Sequence, residues 1–335
     1  MAALIRTNSP YIWMVCGCFF LAWMGQFAHL LQGTCDWRVV ALVRAGLAFL
    51  FAVGLAKVTG AKLAFLRPGA LWVRGCASSI SLLCTFFAFT ALPTGEVLTL
   101  TNTFPIWVAF LSWPLLHVCP SRAAWCAAAV GVVGVALIQA PHFELDGKAL
   151  HAVMISLGAA LTNAIAMLGL HRLKGLHPWA IVAHYSGVAT VFVLVACFVG
   201  QPPDFSSVIE IKTLCLLTAV GLSATLGQLC VTQAFTHGQP TRVSVVALLQ
   251  VVFALILDFL IGGSTILPIT ALGITLVLAP TVWMMLGGLV SRSAKPSDES
   301  VPASEGVLHL GGWKSASSEA VALRNTTDEK RVCAG

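Results

Sequence analysis

Ten runs of apolar residues, each about as long as a bilayer core is thick, leave this chain few ways to fold. A hydrocarbon core of about 30 Å takes roughly 20 helical residues. Runs of that length lie near 11–31, 37–59, 70–92, 95–117, 122–140, 149–169, 179–200, 212–235, 241–262 and 266–289. In lipid every backbone N–H and C=O must find its partner inside the structure, so only helices and closed barrels can span. The runs lack the alternation of a barrel strand, and an all-α, polytopic membrane protein of ten transmembrane helices is expected. Composition points the same way. Of 335 residues, 58% are hydrophobic and only 10% charged, where soluble domains carry about 25% charge. The first run, Tyr11 to Leu31, exceeds the roughly 7–15 residues of a signal-peptide core and reads as a retained span.

The breaks between runs are short and carry turn residues: QGTCD at 32–36, LPTGE at 92–96, CPS at 119–121, THGQP at 236–240 and GGST at 262–265. Short connections make consecutive helices antiparallel neighbours. With a cytoplasmic N-terminus, the inside loops hold Arg6, Lys57, Lys62, Arg67, Arg74, Arg122, Arg172, Lys174 and Arg242, and Arg292 and Lys295 follow the last span. The outside holds Arg38, Lys148 and Lys212. Eleven cations against three place both termini in the cytoplasm of a plasma or inner membrane. The tail from Ser291 to Gly335 holds six basic and six acidic residues. The net charge of +6 therefore belongs to the membrane part, where it reports orientation and not a nucleic-acid partner. The tail, rich in Ser, Ala and charge, reads as disordered. Eleven cysteines scattered through the spans, with no C-x-x-C pair, read as small apolar packing residues and not as disulfides or metal ligands.

Sliding the chain against itself by 146 residues aligns 71–90 with 217–236, and seven of twenty positions match: Leu71/Leu217, Gly75/Gly221, Leu83/Leu229, Cys84/Cys230, Ala88/Ala234, Phe89/Phe235 and Thr90/Thr236. Each repeat then holds five spans. Five is odd, so the second repeat lies upside down relative to the first. The expected organisation is a cytoplasmic N-terminus at 1–10, repeats at 11–140 and 149–289, and a tail at 291–335. Inverted repeats are a transporter signature, because two like halves of opposite orientation can open one central site to each side in turn.

The segment F-A-F-T-A-L-P-T-G-E…F-P-I-W-V-A-F-L-S-W at 87–113 resembles the drug/metabolite transporter superfamily, EamA-type branch. So do V-R-A-G-L-A at 43–48 and V-G-V-V-G-V-A-L-I at 130–138. The stretch HRLKGLHPWAIVAHYSGVA at 171–189 is similar to solute carriers related to nucleotide-sugar transporters. The resemblance covers about 10–290 and implies a multi-pass transporter with a small-molecule substrate. Family repeats often end their fourth and ninth helices in a G-E pair; here those places read His117–Val118 and Gly263–Ser264.

A charge at a helix centre costs roughly 2.5–3.5 kcal/mol on insertion scales, so the few polar residues inside the spans can be weighed singly. Arg44, about 10 Å deep in span two at 1.5 Å per residue, reads as an anion-binding or gating charge, or as half of a structural pair. Glu96 starts span four, where a carboxylate favours the helix dipole; the alternative is a proton or gate residue paired with Arg44 or His29. Asp258 in span nine is a candidate coupling group. Thr225, Gln228 and Thr232 form a stripe on span eight expected to line a cavity. Asn102, Asn163 and Gln250 are single buried amides read the same way. His29, with Gln26 and Ala22, forms a stripe on span one, while His184 and Tyr185 sit on span seven. Substrate contacts are thus expected from Arg44, Asn102, Asn163, Tyr185, Gln228 and Gln250, and coupling or gating from Glu96, Asp258 and His29. Pro105 removes a helix hydrogen bond near Asn102 and marks a kink. Gly131 and Gly134 give span five a smooth face, for scaffold packing or a homodimer contact.

No P-loop, dinucleotide fingerprint, H-E-x-x-H or G-x-S-x-G elbow is present, which argues against direct ATP drive and against an enzyme. No cofactor is expected. The reading is a secondary-active transporter of a small polar organic metabolite, anionic or zwitterionic, such as an organic acid or amino acid. The alternatives are an exporter or channel for drugs or lipids, or a membrane-embedded enzyme, which would need a cluster of His and carboxylates that the sequence disperses.

Overall fold

The computed structural model describes residues 2–31, 34–63, 68–88, 92, 94–139, 150–198, 210–262 and 267–293. Among them the chain is entirely helical. The helices are α1 (Ala2–Leu30), α2 (Trp37–Val58), α3 (Gly69–Ala88), α4 (Thr94–Thr101), α5 (Phe104–Leu116), α6 (Arg122–Gln139), α7 (Leu150–His171), α8 (Pro178–Phe198), α9 (Ile211–His237), α10 (Pro240–Ala247), α11 (Leu249–Gly262) and α12 (Pro268–Ser293). All ten expected spans are present, but the fourth and the ninth are each split in two. The tail beyond 293, together with Phe89 and Thr90 of the repeat alignment, lies outside the described residues. The first helix begins at Ala2, well ahead of the apolar run.

The ends follow local chemistry. Asp36 caps α2, its Oδ1 accepting from the Arg38 backbone N–H at 2.8 Å, and the Arg38 guanidinium pairs with Oδ2 at 2.8 Å. Pro105 sits in the first turn of α5, where no helical N–H is needed. His117 closes α5 in the left-handed region at φ 54°.

The two splits correspond. The first falls at Asn102–Thr103, the second at Leu248, and 102 plus the repeat offset of 146 is 248. At the first split the Thr103 N–H turns to Leu100 O at 3.2 Å, a tighter i−3 bond, and polar side chains add to the bonds on the carbonyls of that turn. Asn102 Nδ2 donates to Leu98 O at 2.7 Å, and Thr103 Oγ1 donates to Leu100 O at 2.6 Å. At the second, Cys18 Sγ of α1 reaches Ala247 O at 3.4 Å. Proline explains the first split alone; the second has Val251 at the matching place.

Packing repeats with the same symmetry. Helix α1 packs on α9 as α7 packs on α3, α2 on α9 as α8 on α3, and α1 on α11 as α7 on α5. The pairs α2·α8 and α6·α12 lie across the pseudo-two-fold. Two four-span groups result: α1, α2, α9 and α10–α11 against α7, α8, α3 and α4–α5. Pairing is antiparallel, as odd repeats require. A Cβ added at Gly17 would meet Val231, and one at Gly227 would meet Leu21, so Pro10 lies beside Gly238 while Leu31 clusters with Leu217 and Val220.

Gly131 and Gly134 serve scaffold packing inside the chain. A Cβ at Gly134 would stand 2.8 Å from Gly273 O, and one at Gly131 would stand 2.6 Å from Leu248 Cδ1. The cysteine expectation needs one correction. Among the described residues nine cysteines are free, but Cys119 is disulfide-bonded.

Candidate functional site

Most of the isolated polar residues of the spans meet in one place. Between the two four-span groups lies a cleft of about 530 Å³, within the 300–1,000 Å³ usual for small-molecule sites. Arg44, Asn102, Asn163, Tyr185, Gln228, Gln250, His29 and Asp258 all line it. Glu96 lies in α4, and its side chain is outside the described residues. Gln26 and Ala22 line the cleft too, so the span-one stripe faces it as a unit. The stripe on α9 divides instead. Only Gln228 reaches the cleft, while Thr225 and Thr232 are buried against protein. Thr225 folds back on its own helix, donating to Gly221 O at 2.7 Å.

The cleft runs from the helix splits, at Asn102, Phe104, Ala247 and Gln250, toward the α1–α2 connection, where Leu31, Cys35 and Trp37 line it. At the other end it is sealed. Tyr11 and Met14 of α1, Phe104 and Val108 of α5, Phe235 of α9 and Val243 of α10 belong to one buried apolar cluster. The opening therefore faces away from the end where α1 starts and α9 finishes. His184, buried, meets Trp72 edge-on at 4.9 Å between ring centres and packs on Gly75; it is no part of the cleft.

Arg74 is where counting loop cations misleads. It was expected in a cytoplasmic loop, and it lies inside α3, 1% exposed. Its guanidinium bonds Ser78 Oγ, donates to Gln228 Oε1 at 3.1 Å and stands 4.5 Å from the centre of the Tyr185 ring. Ser78, Gln228 and Tyr185 all line the cleft, so Arg74 sits immediately behind its wall. The available signal was Arg74 with Ser78 at i and i+4 on one face of an apolar run. Gln228, from the other repeat, carried no such cue. Arg44 Nε is buried and has no hydrogen-bond partner, and neither Arg44, Arg74 nor Asp258 forms an ion pair among the described residues. The described residues gather no group of three or more His, Cys, Asp or Glu that could hold a metal.

The known proteins that share this architecture give it a family. The EamA-like transporter family matches residues 8–140 and 150–286. The chain belongs to that family. It is a multi-pass membrane protein whose family is one of transporters of the drug/metabolite type. Among similar proteins, the pseudopaline exporter CntI of Pseudomonas aeruginosa is 30% identical over 186 residues, 55% of this chain. The match spans 63% of the exporter's own length, less than two thirds. An uncharacterized transporter of Helicobacter pylori is 21% identical over 226 residues, 66% of this chain and 75% of that protein. One crystal structure superposes on the transporter with a TM-score of 0.70 at 14% identity, covering 82% of this chain and 98% of the other. That likeness is one of fold.

Proposed function

We propose that this transporter is secondary-active and moves a small polar organic metabolite, anionic or zwitterionic, by alternating access through the cleft between its two four-span groups. The observation that carries the reading is the lining itself. A cation, Arg44, and a carboxylate, Asp258, face one cleft together with the amides Asn102, Asn163, Gln228 and Gln250. A guanidinium in lipid surroundings is costly without a partner, and an anionic group of the substrate supplies one. Asp258 suits a cationic group at the other end, or a proton. His29 and Glu96 belong to coupling or gating, near the cleft mouth and at the start of α4. Alternating access follows from the pseudo-two-fold: exchanging the packing of the two groups would close the mouth by the α1–α2 connection and open the sealed end. Both termini lie in the cytoplasm on this reading, so the cleft as seen opens outward. The relative named as an exporter favours outward movement of the substrate.

The test is uptake and counterflow in proteoliposomes with a panel of amino acids and organic acids. Arg44→Ala is expected to reduce transport of every accepted acidic solute at least about tenfold, the loss of one charge-assisted hydrogen bond. Unlabelled substrate inside should accelerate uptake of label from outside, which a channel cannot do. Unchanged transport by Arg44→Ala for all accepted solutes would remove Arg44 from the site.

A further inference from the structure

The second arginine carries the site further than the cleft lining does. Arg74 belongs to one four-span group, through α3. Its partner Gln228 belongs to the other, through α9, and α3 and α9 otherwise scarcely pack. Their hydrogen bond therefore crosses between the groups at the cleft wall. Arg44, on α2, lines the cleft together with Tyr185 and Gln228. Arg44, Tyr185, Gln228 and Ser186 share a second void beside the cleft, about 10 Å³ in volume. That is close to the space one water needs. Three polar atoms around this junction are buried with nothing to bond: Arg44 Nε, Arg74 Nε and Ser186 Oγ. Arg74 thus contacts both Tyr185 and Gln228, Arg44 shares their void, and among the described residues no carboxylate pairs with either guanidinium.

We propose that Arg44 and Arg74 are the two arms of one oxyanion site, one arm from each four-span group, and that Gln228 occupies the Arg74 arm until an acidic substrate displaces it. The inference rests on the anionic or zwitterionic reading above and adds to it the residue that selects the anion. Gln228 Oε1 is a neutral acceptor, and a carboxylate oxygen makes a stronger, charge-assisted bond with a guanidinium. The exchange is favourable once an oxyanion enters. A ligand held by both arms ties the two groups together, and a ligand that binds one arrangement better than another shifts the population toward it. Arg74 is then a specificity-determining residue, and recognition and conformational change share one contact.

The experiment measures binding to the purified full-length protein by thermal shift and by equilibrium titration. The probes are citrate, succinate and glutamate, their uncharged or less charged partners succinamide and glutamine, and inorganic phosphate. Wild type is expected to bind at least one carboxylate more tightly than its amide. Arg74→Gln should lose at least about tenfold in affinity for that carboxylate and little for the amide, collapsing the ratio. Arg74→Lys keeps the charge without the fork and should fall between. Gln228→Ala frees Arg74 and should raise the carboxylate-to-amide ratio, whatever contact both probes lose in common. Phosphate binding in place of carboxylate binding, lost in the same variants, would assign the site to phosphorylated substrates. Should Arg74→Gln fail to fold, Arg74→Lys and Gln228→Ala decide. An unchanged carboxylate-to-amide ratio in Arg74→Gln or Arg74→Lys overturns the proposal, as does an equal loss for both probes in Gln228→Ala. If amides alone bind and transport, the anionic reading of the substrate fails first, a result distinct from an anion bound without Arg74.

Discussion

Replacing Gly134 by alanine strikes the closest backbone approach between α6 and α12. The new Cβ would stand 2.8 Å from Gly273 O, 2.9 Å from Val277 Cγ2 and 3.0 Å from Leu276 Cβ. A carbon rests against a carbonyl oxygen at about 3.3 Å or more, so the helices must part by roughly half an ångström. The first of those atoms is backbone and cannot swing aside. The reverse change, Gly273→Ala, meets Gly134 O at 2.6 Å and the Ile138 backbone N at 2.9 Å. Overpacking of this kind costs about 1–3 kcal/mol, and removing a helical glycine returns up to about 1 kcal/mol. Each single change should therefore destabilise by about 1–2 kcal/mol. The double variant should lose less than the sum, because the helices already parted by one Cβ make room for the other. Gly46→Ala and Gly158→Ala, with nothing within 4 Å of the added atom, should leave stability unchanged or raise it. The assay is reversible denaturant unfolding in detergent, with substrate affinity measured beside it. Neither α6 nor α12 lines the cleft, so affinity of the folded fraction should stay at the wild-type value. Gly134→Ala and Gly273→Ala behaving like the two controls would refute the tight crossing.

Two further outcomes follow from the structure. Asp36→Ala removes the α2 cap and should cost about 1 kcal/mol. The hydrogen bonds from Arg38 hold the Asp36 carboxyl below the usual carboxylate range, so its contribution is present above the unfolded value of about 3.9 and fades as pH falls through the lowered folded value. The stability gap between wild type and variant, followed against pH, should be full at neutral pH and shrink only in strong acid; a gap that grows on acidification contradicts the pairing. Thr34→Cys and Gln239→Cys, in a chain whose exposed cysteines are replaced, should react with an impermeant thiol reagent from opposite faces of the membrane, since α1 and α9 are antiparallel. Labelling of both from one face would break the inverted arrangement.

The spans were legible because lipid allows so few backbone solutions, and helix limits such as Trp37–Val58 and Arg122–Gln139 fall within a few residues of the apolar runs. The split of span four was announced by Pro105. The split of span nine was not, because its carbonyls are taken up by a thiol from another helix, Cys18, and nothing local to Leu248 marks it. The cleft lining was legible for a related reason. Isolated amides such as Asn163 and Gln250 are costly toward lipid, so they converge where protein or water receives them. Arg74 was missed because a cation near a helix end counts toward orientation. Its burial depends on Tyr185 and Gln228, which are more than a hundred residues away in the sequence. Thr225 needs no cavity, since its hydroxyl bonds its own helix at Gly221 O, while Thr232, buried with its hydroxyl unpartnered, has no such local account.

If one cleft opens to each face of the membrane in turn, a single cysteine inside it is reached from both. Ala254→Cys places a thiol on the cleft lining, in a background without other reactive cysteines. Its reaction with an impermeant reagent would be followed in right-side-out and inside-out vesicles, with and without a transported solute. Alternating access predicts modification from both faces, at rates the solute shifts in opposite directions. Modification from one face alone under every condition would contradict it.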